Sequence, residues 1–420
     1  MSKVLSLDSL KSDAVCSERK AAAPLPGAAT VPLHHRHGPC SPLNITKMPT
    51  LEERLRRDQL RAAYIQRKFS GAKAGAGDVQ QHSDLTVPTT LGFFLHTLEY
   101  VITVGIGSPA VTQTMLIDSG SDVPWVQCKP CSQCHPQVDP LFDPSASSTY
   151  SPFSCTSDTC VQLGCQYIVR YGDGSSTTGT YSSDTLVLGS NTVTNFQFGC
   201  NQVESGFDDQ TARLRLSCFL CTNIWTQTAG TFGKAFSYCL PRTSTSSGFL
   251  TLGAGTGSSG FVKTPMLRMR QVPTFYGVRL QAIRVGGRQL NIPTSVFSAG
   301  SVMDSGTVIT RLPPTAYSAL SSAFKAGMKK YKAAPPSGLL DTCFDFSGQS
   351  TISMPAVALV FSGGAVVDLV GEGIILGNCL AFAATSDDSA LGIIGNVQQR
   401  TFEVLYDVSG GAVGFRAGAC

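Results

Sequence analysis

The tetrapeptide Asp118-Ser119-Gly120-Ser121 returns 186 positions later as Asp304-Ser305-Gly306-Thr307. A carboxylate is costly to leave in an apolar setting unless it is hydrogen-bonded or paired. Two carboxylates brought close together cannot both ionise easily, so they share a proton. The ionised member can take a proton from water while the protonated member donates to a carbonyl oxygen. That is general acid–base hydrolysis without a covalent intermediate. Nucleophilic serine or cysteine chemistry is poorly supplied, because only His96 and His135 lie outside the first ninety residues.

The elements that must position these acids can be read around them. Each copy follows a short apolar run, Met115-Leu116-Ile117 and Val302-Met303, so each reads as a strand delivering an acid into a tight turn. Gly120 and Gly306 let the backbone approach closely. The hydroxyls of Ser119, Ser121, Ser305 and Thr307 are placed to hold the carboxylates. Tyr171-Gly172-Asp173-Gly174-Ser175 lies between strand-like runs and reads as a hairpin tip that can act as a lid. From Glu99 onward strand follows strand, with Thr315–Lys329 the clearest helical patch. The expected fold is all-β and bilobal: a first lobe over 95–270 and a second over 271–420, each contributing one acid, behind an N-terminal prosegment over 1–94.

Composition agrees. Charged residues are only 14%, with 42 Gly and 23 Pro, which suits short strands and turns better than long surface helices. No apolar run reaches the roughly 18 residues of a membrane span. The net charge of +4 is concentrated in residues 1–90, which hold 13 of the 32 Lys/Arg and 8 of the 28 Asp/Glu. The basic character therefore gives no argument for nucleic acid binding by the main body. Fifteen cysteines indicate an oxidising compartment. The expected location is the secretory pathway, outside the cell or in a vacuole, although the start of the chain shows no apolar signal region.

The front segment divides. Residues 1–48 are expected to be poorly ordered, with a glycosylation-type triplet at Asn44-Ile45-Thr46. A capping box, Thr50-Leu51-Glu52-Glu53, opens a helix near 50–69. Leu51, Leu55, Tyr64, Ile65 and Phe69 fall roughly on one face, with six Arg/Lys from Arg54 to Lys68. Such a helix is either a solvated surface element or a basic cover for an acidic cleft. Gly71–Gly77 then reads as a flexible, cleavable linker.

With these motifs in view, the chain resembles the pepsin-like aspartic proteases, and most closely the plant nepenthesin-like branch. The resemblance covers most of 95–420. It rests on Ile117–Asp122, Trp125, Tyr171–Ser175, Phe198-Gly199-Cys200, Asp304–Thr307 and Leu391–Asn396. A coupled carboxylate pair is the established hallmark of that family, so the dyad expectation is not independent of it. The resemblance implies Asp118 and Asp304 as the catalytic pair and Tyr171 on a flap closing over substrate, with its hydroxyl near Trp125. It implies protein or peptide substrates, the chain's own prosegment as inhibitor, a monomer, and no cofactor or metal. Cys131-Ser-Gln-Cys134-His135 matches a haem-attachment or metal spacing, but a disulfide-stapled loop with Cys155, Cys160 and Cys165 is favoured, as the branch's cysteine-rich insert implies. Cys343 and Cys379 are expected to pair. Gly253–Gly260 carries no Lys-Ser/Thr and reads as a loop, without phosphate chemistry.

One stretch departs from the family. Ile393-Ile394-Gly395 is implied to thread beside the second acid turn, and the first lobe should hold a counterpart near 209–218. Instead, no glycine occurs between Gly206 and Gly230. The segment at 212–226 reads as a compensated frame shift or a mis-joined exon. Two functions follow: an acid-active aspartic endopeptidase made as a zymogen, or a catalytically impaired homologue serving as a binding protein or a defective gene product.

Overall fold

The structure is a computed structural model of the 420-residue chain. It describes residues 1–7, 15–16, 27–43, 49–70, 100–117, 123–153, 166–170, 176–205, 224–253, 260–269, 275–400 and 402–419. The turn Asp118–Ser121, the hairpin tip Tyr171–Ser175, Asn44–Thr46, the linker 71–77 and Cys155, Cys160 and Cys165 lie outside the described residues. So does most of the altered segment, 212–223.

Strands dominate, as the alternating pattern and turn residues dictate. The front segment contributes β1 (Ser2–Ser6) and β2 (Ala29–His35), followed by α1 (Leu51–Phe69). The first lobe builds on β3 (Tyr100–Ile106), β4 (Val111–Leu116), β5 (Trp125–Gln127), β6 (Gln166–Arg170), β7 (Ser176–Leu188) and β8 (Asn191–Ser205). After α2 (Ile224–Phe232) come β9 (Ala235–Cys239), β10 (Ser247–Leu252) and β11 (Val262–Pro265). The second lobe holds β12 (Ser301–Met303), β13 (Thr310–Leu312), α3 (Pro314–Gly327), β14 (Phe382–Ala384) and β15 (Gly392–Ile394). The chain continues through a short helix, α4 (Asn396–Gln399), into β16 (Phe402–Asp407) and β17 (Ala412–Ala417).

One 13-stranded sheet crosses both halves in the order β11-β17-β16-β9-β10-β2-β3-β7-β8-β5, with β4 on β3 and both β6 and the short strand Ser151–Pro152 on β7. The expectation that 1–48 is poorly ordered is corrected for the strands Ser2–Ser6 and Ala29–His35. β2 is an interior strand of this sheet, pairing with β10 from Ala29↔Leu252 to His34↔Ser247 and with β3 from Leu33↔Ile102 to His35↔Tyr100. Its inward side chains Ala29, Val31 and Leu33 are buried, because alternation places every second residue on the core face. β1 likewise pairs antiparallel with Thr351–Pro355.

A separate five-stranded sheet carries the second acid. Gly277–Val278 pairs with β12, which runs parallel to β15 in the register Ser301↔Gly392, Val302↔Ile393, Met303↔Ile394. β13 pairs with β15 and, in parallel, with β14.

Structural disulfides occur among the described residues, while the expected loop partners Cys155, Cys160 and Cys165 lie outside them. Disulfides join Cys16–Cys40, Cys128–Cys200, Cys131–Cys134 and Cys343–Cys379. With Cys131 and Cys134 bonded to each other, neither thiol is available for haem attachment. Next to them, buried His135 pairs through Nδ1 with Glu204 Oε2 at 2.5 Å and meets Gln127 Nε2. No cluster of metal-ligating side chains occurs among the described residues.

Candidate active site

Asp304 ends β12 with its side chain wholly buried. Its backbone N–H donates to Ile394 O at 3.1 Å, which ties the start of the turn to β15. Gly306 N–H donates to Oδ1 at 3.1 Å, and Thr307 Oγ1 donates to Oδ2 at 2.5 Å. The Thr307 hydroxyl and the Gly306 backbone thus both hold the Asp304 carboxylate in this turn. Ser305 is buried there too, and its carbonyl accepts from Asn396 Nδ2 at 3.1 Å. Asn396 N–H donates to Thr307 O at 2.7 Å, so one asparagine holds the carbonyls on both sides of Gly306.

The threading strand explains its glycine. A Cβ on Gly395 would lie 2.5 Å from the carbonyl carbon of Ile309 and 2.8 Å from Val308 O. Only glycine permits that approach. Gly395 N–H also donates to Thr310 Oγ1 at 3.1 Å, and Thr310 is in turn bonded to buried Gln398. The acid turn is thus braced by β15 and α4 through backbone and amide contacts, which is what keeps a carboxylate preorganised.

Over this turn lies α1. Its N-cap is the expected capping box: Thr50 Oγ1 accepts from Glu53 N–H, and Glu53 Oε2 accepts from Thr50 N–H at 2.9 Å. Leu55 packs with Val308, Ile309, Leu340 and Val397, while Ala62 and Ile65 pack with Phe275, Val302, Leu391 and Ile393. Gln66 grips the edge of the core, donating to Leu391 O at 2.5 Å and accepting from Leu391 N–H at 3.1 Å.

Two ion pairs lie under the helix. Arg61 donates through Nε to Asp304 Oδ2 and through a terminal nitrogen to Oδ1, both at 2.7 Å. This is the fork geometry that makes arginine–carboxylate pairs strong and directional. Gly306 makes room for it, since a Cβ there would sit 2.3 Å from the guanidinium carbon. One turn earlier, buried Asp58 accepts from Val308 N–H at 2.5 Å and from Arg311 at 2.6 Å. Burial pushes the Asp304 carboxyl up, but Arg61, Thr307 and Gly306 outweigh it and hold the group below its ordinary range. For Asp58 the balance reverses. Burial prevails over Arg311 and Val308, and the group is raised.

The structure brings Asp304, Ser305, Gly306 and Thr307 together as expected. Trp125 is buried beside Val101, Leu116, Tyr167 and Val169. Its expected partner Tyr171, the rest of the lid through Gly174, and Asp118 lie outside the described residues. Sequence reasoning missed Asp58, Arg61, Gln66 and Arg311, and it placed Asn396 in a motif without assigning its bracing role. A signal for two of them was present: Asp58 and Arg61 interrupt the apolar stripe formed by Leu55, Ala62 and Ile65.

A braced acid turn within a predominantly β architecture defines the class, a pepsin-like fold. A solved structure described as "Crystal structure of edgp" shares that fold, with a TM-score of 0.60 at 18% identity over 77% of this chain and 92% of that chain. Family models match in two blocks, "Xylanase inhibitor N-terminal" over 100–254 and "Xylanase inhibitor C-terminal" over 275–417. An aspartyl protease family protein of Arabidopsis thaliana is 42% identical, covering 92% of this chain and 86% of its own. Aspartic proteinase nepenthesin-2 of Nepenthes gracilis is 34% identical over 77% of this chain and 78% of its own. The chain belongs to the pepsin-like aspartic proteases, in the nepenthesin-like branch. These relatives support a peptidase and do not favour the impaired-homologue alternative.

Proposed function

We propose that this chain is an aspartic endopeptidase in which Asp118 and Asp304 share a proton and activate water, made as a zymogen held inactive by its own front segment. The observation that carries this reading is the buried, two-bond contact of Arg61 on Asp304. A guanidinium on the carboxylate fixes the charged form, so the acid can neither share a proton with a partner nor bind water. The helix that brings Arg61 also covers the apolar surface beside the acid, where an extended peptide would have to lie. In the mature form the Tyr171 hairpin would close over substrate beside Trp125, and the expected state is a monomer.

Acid activity follows from the need to keep one of two adjacent carboxyls protonated. The disulfides fit passage through an oxidising, secretory compartment, outside the cell or in a vacuole. No described helix is long and apolar enough to cross a membrane.

The test is direct. Purified full-length chain, incubated at acidic pH, is expected to lose about the first ninety residues and to digest an unfolded protein in a pepstatin-sensitive manner. An intact, inactive chain under those conditions would overturn the proposal.

A further inference from the structure

Asp58 is held by two donors that both belong to the second lobe. Val308 N–H reaches Oδ1 and the Arg311 guanidinium reaches Oδ2. Val308 follows the acid turn directly, and Arg311 lies on β13, the strand that leaves that turn. Both donors therefore stand on the rigid element that carries Asp304. Arg311 is buried with its guanidinium on Asp58 of α1, and its Nε has no partner among the described residues.

Removing α1 changes this site more than it changes the apolar surface around it. Val308, Ile309, Leu340 and Val397 lose a leucine, which any apolar side chain can replace. The two donors lose a charge. A guanidinium left in a largely apolar recess without its counter-ion is unfavourable, and an incoming carboxylate relieves it. Burial and nearby charge bound the effect. Full burial under α1 raises the Asp58 carboxyl even with both donors in place, and Asp304 adds to this. Arg61, which offsets Asp304 in the covered state, leaves with the helix, whereas a peptide carboxylate in an open cleft keeps more of its water.

We propose that Val308 N–H and Arg311 form a subsite that selects an acidic side chain of the peptide substrate, and that Asp58 occupies it as a substrate mimic. This rests on the reading that α1 covers the substrate cleft. An apolar residue close to the acidic one, in the place of Leu55, completes the pattern. An amide of the same shape can accept from Val308 but cannot neutralise Arg311, so the preference is for charge and only secondarily for size.

The experiment uses acid-activated full-length protein and peptide pairs that differ only as Asp/Asn or Glu/Gln, scanned through the positions flanking the cleavage point. At a pH where the substrate carboxylate is ionised, one position should favour the acid by about tenfold, the order expected of a charge-assisted contact. Arg311→Gln, with its circular dichroism spectrum and thermal midpoint checking that the variant folds, should abolish the preference. Arg311→Lys should keep part of it. Equal cleavage of acid and amide peptides at every position, or a preference untouched in Arg311→Gln, overturns the subsite while leaving the protease reading standing. If no peptide is cleaved, the protease reading fails by itself. Direct binding of the same peptides to acid-treated protein then decides the subsite: Arg311-dependent selection of the carboxylate supports it, and equal affinity for acid and amide overturns it.

Discussion

Arg61 and Asp304 stand 243 positions apart and meet through two parallel 2.7 Å hydrogen bonds, with both side chains fully buried. One comes from the front helix and the other from the acid turn. The same contact neutralises an otherwise costly buried carboxylate and, on the proposed reading, would block the chemistry assigned to it.

The first prediction concerns that contact. Removing one partner of a buried ion pair costs about 3–5 kcal/mol, because the other charge is left uncompensated. Arg61→Gln should therefore loosen α1 and speed loss of the front segment on acidification. Time courses of processing by mass spectrometry check this; an unchanged half-time would show that Arg61 does not hold the helix.

The acids themselves give a second. Asp118→Asn and Asp304→Asn should each abolish cleavage of unfolded protein, since neither lone carboxyl can serve as both acid and base. Activity surviving in either variant would remove that residue from the mechanism.

The pH dependence of helix docking has two opposed contributions. Asp304 is lowered from 3.8 when α1 is docked, so its contribution is present above 3.8 and is lost as pH falls through the lowered value. Asp58 is raised from 3.8, so the docked state takes up a proton more readily than the free helix does. Acidification through the window between that raised value and 3.8 therefore favours docking through Asp58. Asp58→Asn should remove that proton uptake and so make the loss of docking with acidification steeper. Hydrogen exchange of residues 51–69 across pH measures this, and parallel profiles for variant and parent would refute the opposition.

Gly395 offers a prediction about the scaffold. A methyl group there meets the Ile309 carbonyl carbon at 2.5 Å, and the strand cannot give way without moving the acid turn. Gly395→Ala should destabilise the protein by about 1–3 kcal/mol, the usual cost of overpacking. A chemical denaturation midpoint equal to the parent's would show that the close approach is tolerated.

The altered first-lobe segment allows a final test. Replacing Arg213–Trp225 with a glycine-containing stretch like that of the branch should raise activity or soluble yield. No gain in either would mean that the existing segment already supports the first acid turn.

Several features were legible in the amino-acid order because they depend on neighbours in sequence. The apolar lead-in to Asp304, the Thr50–Glu53 capping box and the helix expected over Thr315–Lys329 are of this kind, and all three are present, the helix as Pro314–Gly327. The second acid turn was legible from the repeated tetrapeptide itself, and the close-packed Gly395 through resemblance, which also supplied the strand's purpose. β2 was not legible, since its pattern is short and its partners β3 and β10 lie far along the chain. By itself the sequence determined that an acid would sit at the end of a strand in a glycine turn, because strand period and turn chemistry act over a few residues. Only the tertiary structure decided that Arg61 covers that acid and that Asp58 meets Arg311. Ion pairs between distant segments form where packing brings buried charges together, and no local spacing encodes which charges those will be.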